Sequence, residues 1–218
     1  LKRLAEISAE WPLMTGGSSV AEHYPGLWRA KGWAGAPKPP VELRPVAGPA
    51  LVLAGSCAEQ TAAQIAHFAK THPVQRIDLL AAAANPALVE AALDQARRDV
   101  AKGSIGIAVA ASPAEVEAAQ KKFGRRGAAR RAEEILSRMA VALHGVGVRR
   151  FVIAGGETSG AILEALKVRA MDISPYRGPG TARAVSAGPD PMSFHLKPGK
   201  LGSIDMLNQA AADQSPTA

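Results

Sequence analysis

The sequence predicts an α/β protein of three layers, helix on sheet on helix, around a mainly parallel sheet, with antiparallel additions near the C-terminus. Apolar runs short enough to be strands, Leu51 to Ala54, Ser104 to Ala110 and Phe151 to Ala154, are each followed by a segment of helical period. Runs of this kind, apolar throughout, fit strands covered on both faces. Strand and helix alternate from residue 51 to residue 166, which is the pattern of a parallel sheet with crossover helices.

The chain opens less regularly. Lys2 to Glu10 reads as a helix, Pro12 to Thr15 as a short strand, GGSS as a turn, and the stretch to Ala30 as another helix. Two helices and one strand cannot close a core. Residues 1–33 are therefore expected either to extend a sheet formed elsewhere or to end a domain that begins upstream. Pro37, Pro39, Pro40, Pro45 and Pro49 then mark residues 34–50 as a stiff linker, and residues 51–218 as the main domain.

Within that domain, Leu51 to Ala54 leads through GSCAEQ into a helix carrying Thr61, Ile65, Ala66 and Phe68. Ser56 and Glu59 have capping-box spacing, the cap alone stabilising by about 1 kcal/mol. Arg76 to Leu80 reads as a second strand, and Asn85-Pro86 as the cap of a helix to Ala101. Ser104 to Ala110 is the third strand. Ser112, Pro113 and Glu115 start a helix towards Lys122, and a longer one runs from Ala128 to His144. After Phe151 to Leu166, candidate strands at Val168 to Ile173, Ala182 to Ala187 and Met192 to Lys197 precede a closing helix, Ile204 to Ala212. The whole is Rossmann-like in its order.

Composition narrows the class. With 47% hydrophobic and 21% charged residues in 218, the chain can bury a sizeable core and is not disordered. No apolar run approaches the roughly 20 residues of a membrane-spanning helix. The start, LKRLAEISAEW, has no signal-peptide pattern. Cys57 is the one cysteine, so no internal disulfide forms and a reducing cytoplasm is the expected compartment. Without an accompanying Cys/His/Asn pattern, Cys57 reads as a small turn residue rather than a nucleophile. His23, His67, His72, His144 and His195 lack metal-ligand spacing.

The net charge of +7 favours anionic partners. Part of it lies in KKFGRRGAARR, Lys121 to Arg131. That run has one aromatic residue and no aromatic interleaving, so a solvated helix end explains it better than a nucleic-acid patch. The competing reading is a non-catalytic module that binds an anionic ligand or nucleic acid through this surface.

The most informative stretch is FVIAGGETSGAILEAL, Phe151 to Leu166. A buried strand breaks at Gly155 and Gly156, and Thr158 or Ser159 is placed to cap the helix that follows. Unpaired N–H groups and the positive end of the helix dipole suit such a turn to an anion, a phosphate above all. Neither GxxxxGK[ST] nor GxGxxG occurs in the chain. AGSCAEQT has the same character: apolar strand, Ala-Gly, hydroxyl residue, helix. If the two strands flank the point where connections diverge, both turns face one cleft, with Ser56 as cap and ligand neighbour.

GSCAEQTAAQI, FVIAGGETSGAILEALKV and the late LKPGKLGSIDML occur in the order and spacing of the four-carbon acid sugar kinases, the family of 3-oxo-tetronate, threonate and erythronate kinases. From Leu51 to Leu207 the chain resembles their C-terminal nucleotide-binding half. Trp11 to Trp33 resembles the last elements of their substrate-binding half. The resemblance implies ATP-dependent phosphorylation of a terminal hydroxyl on a four-carbon sugar acid, with Mg²⁺ and, as one assembly, a homodimer. It implies that Ser56, Gly155, Gly156, Glu157, Thr158, Ser159 and Gly199 touch ATP. Lys197 or Lys200 would pair with a phosphate, and Glu157 would hold a water of the Mg²⁺ shell or complement the helix dipole.

Two departures stand out. Where the family carries an LKSGNFG-like run, this chain has Pro198 for Ser and Lys200-Leu201 for Asn-Phe. The family's Asp-Asp-x-Thr-Gly motif, expected to hold the substrate pocket and catalytic base, does not occur in the sequence. The resemblance therefore implies that this chain binds nucleotide and does not complete a turnover alone.

Overall fold

The computed structural model describes residues 1–39, 43–55, 58–109, 113–174 and 182–213. The chain divides into two compact units, Leu1–Pro40 and Val41–Ala218. In the first, helices α1 (Lys2–Ser8), α2 (Ser18–Ala21) and α3 (Tyr24–Ala30) surround Ala5, Ala9, Val20 and Tyr24. The Ser8 hydroxyl and the Tyr24 hydroxyl share a 2.7 Å hydrogen bond. Pro12 to Thr15 is not the predicted strand. A strand needs partners for its peptide groups, and this unit offers three helices and a proline without an N–H.

The second unit is built on a sheet in the order β2-β3-β1-β4-β7-β6-β5. Its strands are β1 (Ala50–Ala54), β2 (Val74–Ile77), β3 (Ile105–Val109), β4 (Arg150–Ala154), β5 (Met171–Ile173), β6 (Ala182–Ser186) and β7 (Ser193–Lys197). β2, β3, β1, β4 and β7 run parallel. β6 is antiparallel to β7 and to β5, so the additions near the C-terminus are as predicted.

Successive residues of the central strands face opposite layers. Leu51, Leu53, Phe151 and Ile153 belong to the larger core, with α5 (Leu79–Ala84), α6 (Ala87–Val100), α7 (Pro113–Phe123), α8 (Arg125–Gly145) and α9 (Gly156–Ala165). Ala50, Val52, Ala54, Val152 and Ala154 face the other way, towards α4 (Glu59–Phe68) and α10 (Met206–Ala212). Burial on both faces is why β1 and β4 are apolar throughout.

Local corrections follow from capping and pairing. The second strand is Val74–Ile77, and Leu79 and Leu80 belong to α5, because Asp78 Oδ1 accepts from the N–H groups of Leu80 and Ala81 at 2.7 and 3.0 Å. Helix α4 opens at Glu59 behind Ala58, so Glu59 stands at its first position rather than at the third position of a capping box. Ser56 and Cys57 themselves lie outside the described residues, as does Ser112. Asn85 Oδ1 does accept from the Ala87 N–H, at 3.2 Å, as its predicted capping role requires.

Candidate ligand-binding cleft

The connection from β1 passes through α4 to β2, towards one edge of the sheet, and the connection from β4 passes through α9 to β5 at the other edge. The chain thus parts between two adjacent parallel strands, where open sheets leave a crevice at the strand ends. Three turns meet there. The Gly55 N–H donates to Ala154 O at 3.3 Å, and the Gly155 N–H donates to Lys197 O at 2.9 Å, which ties the carboxyl ends of β1, β4 and β7 together.

The turn after β4 depends on Gly155. Its φ of 128° is one that side chains rarely adopt, and it serves as the N-cap of α9. Thr158 and Ser159, the predicted caps, are instead buried in the first turn of the helix. The Ser159 hydroxyl donates back to Gly155 O at 2.7 Å, and so fixes the turn from beneath. The turn after β1 depends on close approach: a Cβ on Gly55 would stand 2.5 Å from Thr158 Oγ1. Around Gly156 nothing lies within 4 Å of such an atom, so the helix start is open where Gly55 is closed.

These turns line a cavity of about 420 Å³, within the usual range for small-molecule sites. Gly155, Gly156, Glu157, Thr158 and Gly199 are in its wall, beside Gly55. The structure therefore brings most of the sequence-predicted positions to one place. Ser159 and Lys197 are buried and not part of the wall, and Lys200 is exposed. Lys197 Nζ donates to Thr61 Oγ1 at 3.1 Å, to Pro198 O at 2.8 Å and to Gly199 O at 3.1 Å. Its ammonium is thus occupied with the loop after β7, and burial pushes its pKa down.

Sequence reasoning missed the opposite wall, supplied by Leu79, Val109, Val116 and Ala119, with Ala128, Ala129 and Ala132 of α8. Gln120, Arg125 and Glu133 add polar groups. Burial and then the neighbouring Glu157 and Glu134 carboxylates raise the Glu133 pKa. The cavity so carries two carboxylates, Glu133 and Glu157, and one guanidinium. No group of three or more His, Cys, Asp or Glu side chains disposed to hold a metal occurs among the described residues. The basic run occupies the end of α7 and the start of α8: Lys122 and Arg131 lie over the Phe123 ring, and Arg130 pairs with Glu134 at 2.8 Å. Among the described residues no helix is long and apolar enough to cross a membrane.

An open parallel sheet that parts between β1 and β4, with a glycine-opened helix start at the parting, defines the α/β class of ligand-binding domains that receive anionic groups at strand ends. The family profile described as "Nucleotide-binding C-terminal domain" matches residues 51–207. A 3-oxo-tetronate kinase of Pseudomonas fluorescens is 40% identical over 211 residues, 96% of this chain and 48% of the relative. One from Burkholderia multivorans is 38% identical over 207 residues, 95% of this chain and 48% of the relative. The crystal structure of Haemophilus influenzae protein HI1011 superposes with a TM-score of 0.74 at 26% identity, covering 98% of this chain and 51% of that one. The chain belongs to the four-carbon acid sugar kinase family, and it spans about half the length of the curated relatives it matches.

Proposed function

We propose that this chain is the nucleotide-binding portion of an ATP-dependent kinase that phosphorylates a terminal hydroxyl of a four-carbon sugar acid in carbohydrate metabolism. The observation that carries this reading is the convergence of the turns at Gly55, at Gly155 to Thr158 and at Gly199 on one cavity. Phosphoryl transfer asks a protein mainly for position and charge neutralisation. A backbone cradle at a helix start fits that demand. The residues present fit ATP: the start of α9 is unobstructed at Gly156, and the cavity is of cofactor size.

With two carboxylates against the one guanidinium of Arg125 in the cavity, a polyanion meets a net like charge unless a cation accompanies it. Mg²⁺ carried mostly by the phosphates, with Glu157 or Glu133 against its hydration shell, suits this arrangement. The ion would neutralise charge on the transferring group. The chain's own part is to hold the polyphosphate by N–H groups and to keep Glu157 beside it.

In the same reading, residues 1–33 are the end of a substrate-binding half, residues 34–50 a linker whose later part, from Leu43, already packs on the second unit through Leu43 and Val46, and residues 51–218 the nucleotide-binding domain. The sugar acid and the catalytic base then belong to the other half of a longer enzyme, acting in the cytoplasm. Titration calorimetry with Mg-ATP tests the proposal. Saturable binding is expected, and no heat of binding at millimolar nucleotide would overturn it.

A further inference from the structure

The loop after β7, residues 198–203, is held by its carbonyl groups. Thr61 Oγ1 donates to Gly199 O at 2.7 Å. Gln60 Nε2 donates to Gly202 O at 2.7 Å, and Gln64 Nε2 reaches Leu201 O, Gly202 O and Ser203 O at 3.2, 3.2 and 2.8 Å. Lys197 Nζ takes Pro198 O and Gly199 O from below. Thr61, Gln64 and Lys197 are at most 2% exposed. The Gln64 amide can stand only this way round, since reversing it would point its oxygen at three carbonyl oxygens.

A trans peptide points its C=O and the next N–H in opposite directions, and the chain has no cis bond among its described residues. With the carbonyls of Pro198, Gly199, Leu201 and Gly202 turned onto α4 and Lys197, the N–H groups of Gly199, Lys200, Gly202 and Ser203 point away from α4. Those four N–H groups make no hydrogen bond to another described residue. Gly199 stands in the cavity wall, whereas no residue of α4 does. The buried ammonium of Lys197 also faces neutral oxygens alone, and among the described residues no ion pair involves it. A charge buried in this way gains most from an anion on the far side of the loop.

We propose that Thr61, Gln64 and Lys197 are positioning residues for a polyphosphate: they grip loop 198–203 by its carbonyls and so present its N–H groups to phosphate oxygens. The side chain of Lys197 acts through the loop and does not touch the ligand. This rests on the nucleotide-binding reading and adds to it the residues that shape one wall of the phosphate site.

The test uses the full chain, with Mg-ATP and inorganic tripolyphosphate as probes, in the wild type and in Thr61→Val and Thr61→Ser. Valine keeps the shape of threonine and loses the hydroxyl, while serine keeps the hydroxyl. Thr61→Val is expected to weaken both probes alike, by about tenfold, and Thr61→Ser to restore them. In heteronuclear NMR the Gly199 and Lys200 amides should shift on adding tripolyphosphate to the wild type, and should need about tenfold more of it to reach the same shift in Thr61→Val. Gln64→Met, close in volume and without a donor, should repeat the loss if Thr61→Val fails to fold. Wild-type affinity for both probes in these variants overturns the proposal, as does loss of Mg-ATP binding with tripolyphosphate binding intact. A wild type that binds tripolyphosphate and not Mg-ATP overturns the nucleotide reading and leaves the loop proposal standing. A wild type that binds neither overturns both.

Discussion

Gly55 stands in the turn after β1 and Gly156 at the start of α9 after β4, and a side chain added to each has opposite consequences. At Gly55 a methyl group meets the Oγ1 and Cγ2 of Thr158 at 2.5 and 3.2 Å, and Leu136 Cδ1 at 3.1 Å. Thr158 is buried and β-branched, so it has little freedom to withdraw. Gly55→Ala is expected to destabilise the fold by roughly 1–3 kcal/mol, read as a lower midpoint in urea. A Cβ at Gly156 meets nothing within 4 Å, and Gly156 lacks the positive φ of Gly155, so Gly156→Val adds its side chain without strain at the attachment point. That variant should unfold close to the wild-type midpoint yet bind Mg-ATP at least about tenfold more weakly, because the side chain fills the helix start. Unchanged affinity would remove the turn from the site. Glu133 supplies a third residue-scale test. Its carboxylate stands near Glu157 in the cavity, so free ATP should bind more weakly than Mg-ATP, and Glu133→Gln should narrow that difference. Calorimetry with and without chelator reads it.

Helix α5 shows what a single cap decides. Asp78 holds two N–H groups of its first turn, and Leu79 from that turn reaches the cavity. Asp78→Ala should lower stability by about 1 kcal/mol, and Asp78→Asn should retain most of it, by urea denaturation. The same helix marks a limit of the sequence. From Ile77 to Ala84 the chain is apolar except for Asp78, and period alone cannot separate the end of a strand from a short buried helix there. Asp78 was the available signal, a capping residue inside the run. β1 and β4 were legible because burial on both faces leaves no polar residue between Leu51 and Ala54 or between Phe151 and Ala154. The glycine turns were legible for a related reason, since close approach and positive φ each demand glycine. The wall from α7 and α8 was not. An alanine facing a cavity and an alanine facing a core have the same helical spacing, and Ala128 and Ala132 belong to both the core cluster and the cavity lining. Thr61 and Gln64 were hidden likewise, as polar residues on an amphipathic helix whose partners lie more than 130 positions away.

At the scale of the molecule, the two units have separate buried clusters, and Leu43 and Val46 pack against Val185 within the second. A fragment beginning at Leu43 should therefore fold cooperatively and keep the Mg-ATP affinity of the full chain; a fragment that fails to fold would place the boundary elsewhere. Acid stability of the whole chain has an identifiable contributor in His144, at the end of α8. Burial first, then the neighbouring Arg149, lowers its pKa below the ordinary 6.5, while Asp190 pulls in the other direction. Arg149 Nη1 donates to His144 O at 2.8 Å and its Nε pairs with Asp190 at 2.7 Å, so the guanidinium cannot move off as the ring gains a proton. With the folded pKa below the unfolded one, the unfolded chain takes up a proton first as pH falls. Stability is then fully present above about pH 7 and is lost progressively as the pH drops past 6.5 and through the lower folded pKa. His144→Gln removes the titration while keeping a polar side chain of similar reach. Urea midpoints measured from about pH 7.5 to about pH 5 should fall more steeply for the wild type than for this variant. Equal slopes would assign the acid sensitivity to other groups.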